Sequence, residues 1–329
     1  KIYSKMLFRF IRMYILQLGF LDGYEGYLLA KYSSIYTMTK YTKLREQYFR
    51  TLGKDTSLIV TTYNWPQALE ICLNSVLRQT VLPKEIIVAD DGSREDTASL
   101  VKKIKESNPN IKIKHSWQED DGFRLSMSRN KAIAKTSGRY VIIIDGDLIL
   151  ERHFIQDHIE NMENGYFIQG SRVIISEEKS KEILKGKLPV FPKVLFEKGY
   201  KNKANTVRSR LLSKIFAKKD KKLSGIRGCN MSFFREDLVK VNGFEEKIQG
   251  WGREDSEIAV RLFNNGIGKK RLKFGALTYH IYHKENDRSG LAENDEFLAK
   301  VIKQGKKKAE KGLNNHEGCQ FGDNELRKI

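Results

Sequence analysis

The chain has three cysteines in 329 residues, Cys72, Cys229 and Cys319, and no Cys-x-x-Cys pair. So sparse and odd a set builds no disulfide framework, offers no paired thiolates to zinc and suits a reducing compartment. Glycine-rich phosphate loops are missing as well. Neither G-x-G-x-x-G nor a Walker A sequence occurs, so a dinucleotide fold or a P-loop has no support. No apolar run is long enough to span a bilayer uninterrupted, because the stretch from Met6 to Ala30 carries Arg9, Arg12, Asp22 and Glu25. Neither a signal peptide nor an internal repeat is evident, and the start at Lys1 rather than Met reads as a fragment boundary. Acids are outnumbered, 41 against 60 Lys and Arg, for a net charge of +19. Nucleic acid, anionic lipid and nucleotide phosphates are the partner classes such charge admits. With 40% hydrophobic and 31% charged residues the chain is globular, large enough for one domain with appendages.

What is present centres on Gly138–Asp147, Gly-Arg-Tyr-Val-Ile-Ile-Ile-Asp-Gly-Asp. Four consecutive β-branched residues cannot alternate between core and solvent, so the strand is expected to be buried on both faces. Asp145 and Asp147 follow it, with a glycine between them that permits a sharp turn. Ligands of open α/β sheets bind beyond the carboxyl ends of the strands. There, two carboxylates can hold a hard divalent cation that grips a phosphate. Taken alone, an Asp-Gly turn facing water explains the tripeptide too.

Upstream, strands are expected at Ser57–Thr62, Lys84–Ala89 and Ile111–His115, with helices from Pro66 to Gln79 and Glu95 to Ser107. This β-α-β-α-β rhythm predicts an α/β fold with a doubly wound sheet and helices on both faces. Downstream come a helix ending near Gly138, a helix from His153 to Met162, a strand at Ser171–Ser176, a strand and short helix after Gly225, a helix from Arg253 to Asn265 and a strand near Ala276. Residues 1–52 read as two amphipathic helices joined at Gly19–Gly23. Their Lys, Arg, Tyr, Phe and Leu suit an anionic membrane surface, or packing as a plain appendage. Residues 53–290 form the main domain, in which 177–222 is a Lys-rich insertion or lid holding Pro189 and Pro192. Residues 291–329 are a helix and a polar tail.

Four groups could carry chemistry: Asp90 with Asp91 at a strand end, Asp145 with Asp147, Glu254 with Asp255, and His280 with His283. Each has a plain explanation by itself, such as acids favouring the positive end of a helix dipole. Their combination on one α/β chain points to a site.

Those residues resemble a family. Ser57–Asn64, Ala89–Ser93, Ser128–Asn130, Asp145–Asp147 and Gly250–Asp255 are similar to motifs of family 2 inverting glycosyltransferases of GT-A fold, a doubly wound mixed sheet. Gly228–Phe233 and Val241–Glu245 resemble the galactosyltransferase-type half shared by chondroitin polymerase and β-1,4-galactosyltransferases. The resemblance covers roughly residues 55–290 and implies a metal-dependent hexosyltransferase. It implies that Thr62, Tyr63, Asn64, Asp90 and Asp91 hold uracil and ribose, and that Arg129 faces the diphosphate. Asp147 would bind Mn²⁺ or Mg²⁺ with His283 or His280, while Asp145 lies near the ribose or the metal's waters; two imidazoles favour Mn²⁺. Asp255 would be the base and Glu254 would bind sugar hydroxyls; Trp251 offers a face to the acceptor, or simply wedges a turn.

The implied donor is a UDP-sugar and the acceptor a glycan or glycolipid of a bacterial surface polysaccharide or lipopolysaccharide. The implied location is cytoplasmic, peripheral on the inner face of the plasma membrane, with no nucleic-acid partner. Residues 1–50 are similar to the tail of lipopolysaccharide-core β-1,4-glucosyltransferases, which suggests the latter part of a two-enzyme fusion. A sugar nucleotidyltransferase shares the sheet and the carboxylates but normally needs the absent Gly-rich loop. A non-catalytic basic module that binds membrane or nucleic acid would rest on charge alone.

Overall fold

The computed structural model describes residues 2–189, 193–284 and 287–316. Pro192, Cys319 and the polar tail from residue 317 onward lie outside them. The chain forms two units, Lys1–Leu52 and Gly53–Ile329, each described by itself.

In the first unit, helix α1 (Ile2–Ile11) runs through a wider turn at Arg12–Leu16 and a tight one at Gly19–Asp22 into α2 (Gly23–Gly53). A Cβ on Gly26 would lie 1.8 Å from the Gly19 carbonyl oxygen, so α2 meets the connector at a distance only glycine permits. α1 buries none of its residues, and Tyr3, Leu7 and Phe8 face solvent. No helix among the described residues is long and apolar enough to cross a membrane.

In the second unit the strands are β1 (Thr56–Thr62), β2 (Glu85–Asp90), β3 (Lys112–Trp117), β4 (Tyr140–Asp145), β5 (Leu148–Leu150), β6 (Tyr166–Gln169), β7 (Ser171–Ile175), β8 (Tyr200–Lys201), β9 (Lys218–Asp220), β10 (Asn230–Phe234), β11 (Gly268–Arg271) and β12 (Leu277–His280). The helices are α3 (Pro66–Leu77), α4 (Glu95–Ser107), α5 (Leu125–Ala134), α6 (Phe154–Asn161), α7 (Glu177–Leu184), α8 (Arg210–Phe216), α9 (Arg235–Lys240), α10 (Glu254–Asn264) and α11 (Leu291–Gln304). Eight strands form a mixed sheet in the order β3-β2-β1-β4-β10-β6-β11-β9.

The β-branched runs become the middle of that sheet because they can be covered on both sides. Ile59 lies between Ile87 and Ile143, and all three are buried with Ala132 and Ile133 of α5 and Ile258 and Leu262 of α10. Each such side chain contributes about 1.5–3 kcal/mol of transfer energy. The parallel register brings Thr62 beside Asp90 and Thr61 beside Asp145, so one edge of the sheet collects the polar strand ends.

A second, four-stranded sheet, β5-β12-β7-β8, was not foreseen from the sequence. Its strands are two to five residues long, too short to show a period. β6 and β11 were also missed. β11 reads Gly-Lys-Lys-Arg, yet Lys269 is buried: its ammonium donates to the Ser224 carbonyl at 2.8 Å and pairs with Asp220 at 3.2 Å. Within 177–222, Ile183, Val194 and Tyr200 share a core with Ile175, Tyr279 and Ile281.

Asn230 joins the two sheets. Its amide donates to the carbonyls of Ser171 at 3.2 Å and Ala276 at 3.1 Å, and its Oδ1 accepts from His158 Nε2 at 3.0 Å. Burial holds His158 neutral, its pKa pushed down to about 3, and its Nδ1 meets Ser232, which in turn meets Tyr140. Every polar group of the Asn230 amide therefore has a partner. Asn230→Ala strands one imidazole N–H and the Ala276 carbonyl, leaves the Ser171 carbonyl with Thr278 Oγ1 at 3.1 Å, and is expected to cost about 2–4 kcal/mol in denaturant unfolding. An unchanged midpoint would show that the junction does not depend on this amide.

Candidate functional site

The turn after β4 is pinned from below. The Gly146 N–H donates to the Thr61 carbonyl at 2.7 Å, and a Cβ there would lie 2.7 Å from the same oxygen. Close approach, rather than an unusual dihedral angle, makes this residue glycine. Asp145 Oδ1 accepts from Thr61 Oγ1 at 2.9 Å and Arg129 Nη2 at 3.3 Å.

Asp147 is aligned with the second sheet. Its carbonyl accepts from Ile281 N at 3.0 Å, and β12 pairs antiparallel with β5 so that His280 stands opposite Leu148. Consequently Asp147 Oδ2 lies 3.5 Å from His280 Nε2 and 3.4 Å from His283 Nε2. The donor atoms of these three residues all fall within 4.8 Å of one another. His283 Nδ1 donates to the Lys284 carbonyl at 2.8 Å, which leaves its Nε2 lone pair facing Asp147. Asp147 Oδ1 is buried with no hydrogen-bond partner. Burial and the neighbouring Asp145 push the Asp147 carboxyl up to about 8, while burial, Arg172 and His283 push His280 down to about 3. One buried carboxyl with an orphaned oxygen and two imidazoles fit a divalent transition cation, with further positions left for oxygen ligands.

Arg129 of α5 lies at the centre of the acids and is only 1% exposed. Sequence reasoning expected it to face a diphosphate. Its guanidinium bridges Asp145, at 3.3 Å, and Glu254, at 3.2 Å, and rests over the Phe244 ring. Gly250, Gly252 and Arg253 all have positive φ, and the turn they make aims the start of α10 at this point. Asp255 Oδ2 accepts from Gly228 N at 2.8 Å and its Oδ1 from Ser256 N at 2.6 Å. Burial and the charge of Asp255, opposed by Arg129, raise the Glu254 carboxyl to about 7. The Trp251 ring carries the Arg288 guanidinium at 4.6 Å, so one face is covered.

The ends of β1 and β2 make a separate cradle. Asn64, with φ 46°, donates from its backbone to Ser93 Oγ at 2.8 Å, and its side chain accepts from Arg94 N at 2.9 Å. Thr62 ends β1 beside it. Asp90 is fully buried, accepting from Ser93 N and meeting His115, both at 2.8 Å; it builds the turn. Asp91 accepts from Gln118 at 2.5 Å and from Arg124 N at 2.9 Å, and burial raises its carboxyl to about 6. Tyr63 is half-exposed, with its hydroxyl donating to Asp120 at 3.1 Å.

Two residues escaped sequence reasoning. Trp117, half-exposed, ends β3 next to Asp90 and donates its indole N–H to Ser93 O at 3.0 Å. Arg172 of β7 contacts Cys229 Sγ at 3.5 Å, and its charge depresses the pKa values of Asp147 and His280. Its Nε is buried without a partner. The strand-end position could have flagged Trp117, whereas nothing local marks Arg172.

A family model described as glycosyl transferase family 2 matches residues 57–241. The chain belongs to glycosyl transferase family 2. A second model, described as the N-terminal domain of galactosyltransferase, matches residues 212–284 of this glycosyltransferase. The enzyme is 27% identical to a chondroitin synthase of Escherichia coli, over 68% of this chain and 34% of that protein. It is 26% identical to a validoxylamine A glucosyltransferase of Streptomyces hygroscopicus subsp. limoneus, over 74% of this chain and 56% of that protein. The glycosyltransferase thus spans about a third of the synthase it matches. Its fold is GT-A. S. aureus TarS 1–349 in complex with UDP aligns with a TM-score of 0.51 at 17% identity, covering 79% of this chain and 68% of that one. The mannosyltransferase PcManGT of Pyrobaculum calidifontis, solved with GDP-Man and Mn²⁺, aligns with a TM-score of 0.50 at 18% identity, covering 76% and 64%.

The raised Glu254 carboxyl has a consequence for stability. Its ordinary value is 4.5 and its folded value about 7, so the unfolded chain loses this proton first and ionisation weakens the fold as pH rises between the two. Glu254→Gln removes that dependence. Its denaturation midpoint relative to the parent should therefore rise between about pH 5 and pH 8, and a constant difference would contradict the assignment.

Proposed function

We propose that this glycosyltransferase moves Gal, GalNAc, Glc or GlcNAc from a UDP-sugar to a hydroxyl of a glycan or glycolipid acceptor, in one displacement with inversion. The observation that carries the reading is that Asp147 meets two histidines at one end of the turn after β4, while Asp145 at its other end is joined through Arg129 to Glu254, the neighbour of Asp255. UDP in TarS and GDP-Man with Mn²⁺ in PcManGT, both of this fold, support a nucleotide-sugar donor and a cation.

Thr62, Tyr63, Asn64 and Asp91 cradle the uracil and ribose, with Asp90 bracing the turn beneath them. Asp145, held by Thr61 and Arg129, accepts from the ribose. Asp147, His280 and His283 are the residues that would hold Mn²⁺ or Mg²⁺, which when bound neutralises charge on the departing diphosphate. Arg172 adds a guanidinium to the same oxygens.

Asp255 is the base. Its carboxylate is fixed by two backbone N–H groups and takes the acceptor hydroxyl's proton as that oxygen bonds to C1 and the bond from C1 to the diphosphate breaks. Attack from the face opposite the leaving group turns an α-linked donor into a β-glycoside. Glu254 accepts from sugar hydroxyls, and Trp251 offers its uncovered face to the acceptor ring. The basic, aromatic helices of residues 1–52 suit an anionic membrane surface, consistent with a bacterial surface polysaccharide or lipopolysaccharide acceptor at the inner face of the plasma membrane.

UDP release from a panel of UDP-sugars with a glycan acceptor tests the reading. Asp255→Asn should keep UDP-sugar affinity and lose about 10²–10⁴ of turnover. Near-normal turnover removes Asp255 from the role. Mn²⁺ with UDP should raise the melting temperature, equivalent to about 2.7 kcal/mol at a hundredfold excess over Kd. Asp147→Asn should abolish the Mn²⁺-dependent part of that shift, and an undiminished shift would place the cation elsewhere.

A further inference from the structure

α8, in the basic insertion of the second unit, is built inside out. Its inward position is Ser213, fully buried, whereas Leu211, Ile215 and Phe216 are 69%, 63% and 53% exposed. Packing explains the small inward residue: a Cβ on Gly275 would lie 2.8 Å from Ser213 Oγ, so the helix lies too close to the 272–276 loop for a larger side chain. Leu211 and Ile215, one turn apart, share the outward face.

The helix is also held rigidly. Ser209 caps it by accepting from Leu212 N at 3.3 Å, and the Ser209 N–H donates to Phe274 O at 2.9 Å. Before it, Arg208 donates from Nε to Asp157 Oδ2 at 2.9 Å and from Nη2 to Oδ1 at 2.6 Å; Arg210 pairs with Glu160 at 3.1 Å. The exposed apolar residues are therefore fixed in place and not a frayed end. Phe216 meets the Phe274 ring edge-on at 5.6 Å, extending the apolar tip.

Charge identifies what covers it. Residues 177–222 hold 13 Lys and two Arg against five acids, and Lys214, Lys218 and Lys221 are exposed on or beside α8. A second copy would set this excess of positive charge against itself. Nucleic acid is bound by basic residues with aromatic platforms for stacking, and the two leading apolar groups here are Leu and Ile. An apolar tip with exposed lysines on its helix and just after it matches an anionic lipid surface, where the tip enters the headgroup layer and the ammonium groups remain among phosphates.

We propose that α8 is a membrane-docking tip of the catalytic unit: Leu211, Ile215 and Phe216 insert into an anionic leaflet, and Lys214, Lys218 and Lys221 hold its phosphates. This rests on the reading of an acceptor presented at a lipid surface, and it adds a contact separate from residues 1–52.

The test is sedimentation of the full chain with vesicles of phosphatidylcholine, with and without phosphatidylglycerol, beside UDP release on a short soluble acceptor. Leu211→Ser with Ile215→Ser should weaken binding to the phosphatidylglycerol vesicles at least tenfold, with melting temperature and soluble-acceptor activity unchanged. Lys214→Glu with Lys218→Glu and Lys221→Glu should do the same on anionic vesicles, with no effect on neutral ones. Undiminished vesicle binding by both variants overturns the proposal, as does a concentration-dependent dimer in the parent that the serine variant loses. Loss of UDP release by the parent with the vesicle results intact would sink the transfer reading and leave the docking tip standing.

Discussion

Carboxylates gathered in one cleft repel each other, and a buried guanidinium is what lets them stay. Arg129 sits between Asp145 and Glu254, sealed from solvent, and among the described residues it is the cation that pairs with both acids. Removing one member of a buried pair leaves the other uncompensated, at a cost of about 3–5 kcal/mol. Placement of α5 against the sheet is therefore tied to placement of α10. The raised Glu254 carboxyl shows that the compensation is incomplete. Residual strain of this kind is characteristic of groups kept poised for chemistry.

The other half of the arrangement depends on two sheets meeting at a fixed angle. β4 and its turn supply Asp147, whereas β12 supplies His280 and, three residues on, His283. Because side chains alternate along a strand, a slip of one residue between β5 and β12 would turn His280 away from the aspartate. Asn230 and the Ile281–Asp147 hydrogen bond secure that register from opposite ends. The buried network behind Asn230 thus serves the site although none of its members faces the cleft.

Much of this was legible in the chain. The β-branched runs at Ile59–Thr62 and Val141–Ile144 announced the middle of the sheet, and Glu95–Ser107 appeared as a helix at the bounds expected. The clusters Asp145–Asp147, Glu254–Asp255 and His280–His283 were visible because each is contiguous or nearly so. What escaped is long-range. A short strand such as β5 gains its ladder only from β12, far along the chain, and β11 hides a buried lysine that is stable only where carbonyls and Asp220 converge. Arg129 showed its charge in the sequence but not its burial between Asp145 and Glu254, which come from two other segments. Arg172 carries no local signature; its neighbours Asp147, His280 and Cys229 come from three other segments.

The pairing of β12 with β5 joins parts of the chain separated by about 130 residues, a closure far slower to find than a helix or a hairpin. The parallel core of β1, β2 and β4 is complete in the first half of the sequence and can assemble while the remainder is still emerging from the ribosome. The histidines arrive last. A nascent or truncated chain thus passes through a stage at which the polar ends of β1, β2 and β4 are gathered and the histidines that face Asp147 are not, and the three-residue cluster closes only when that final strand is laid in place.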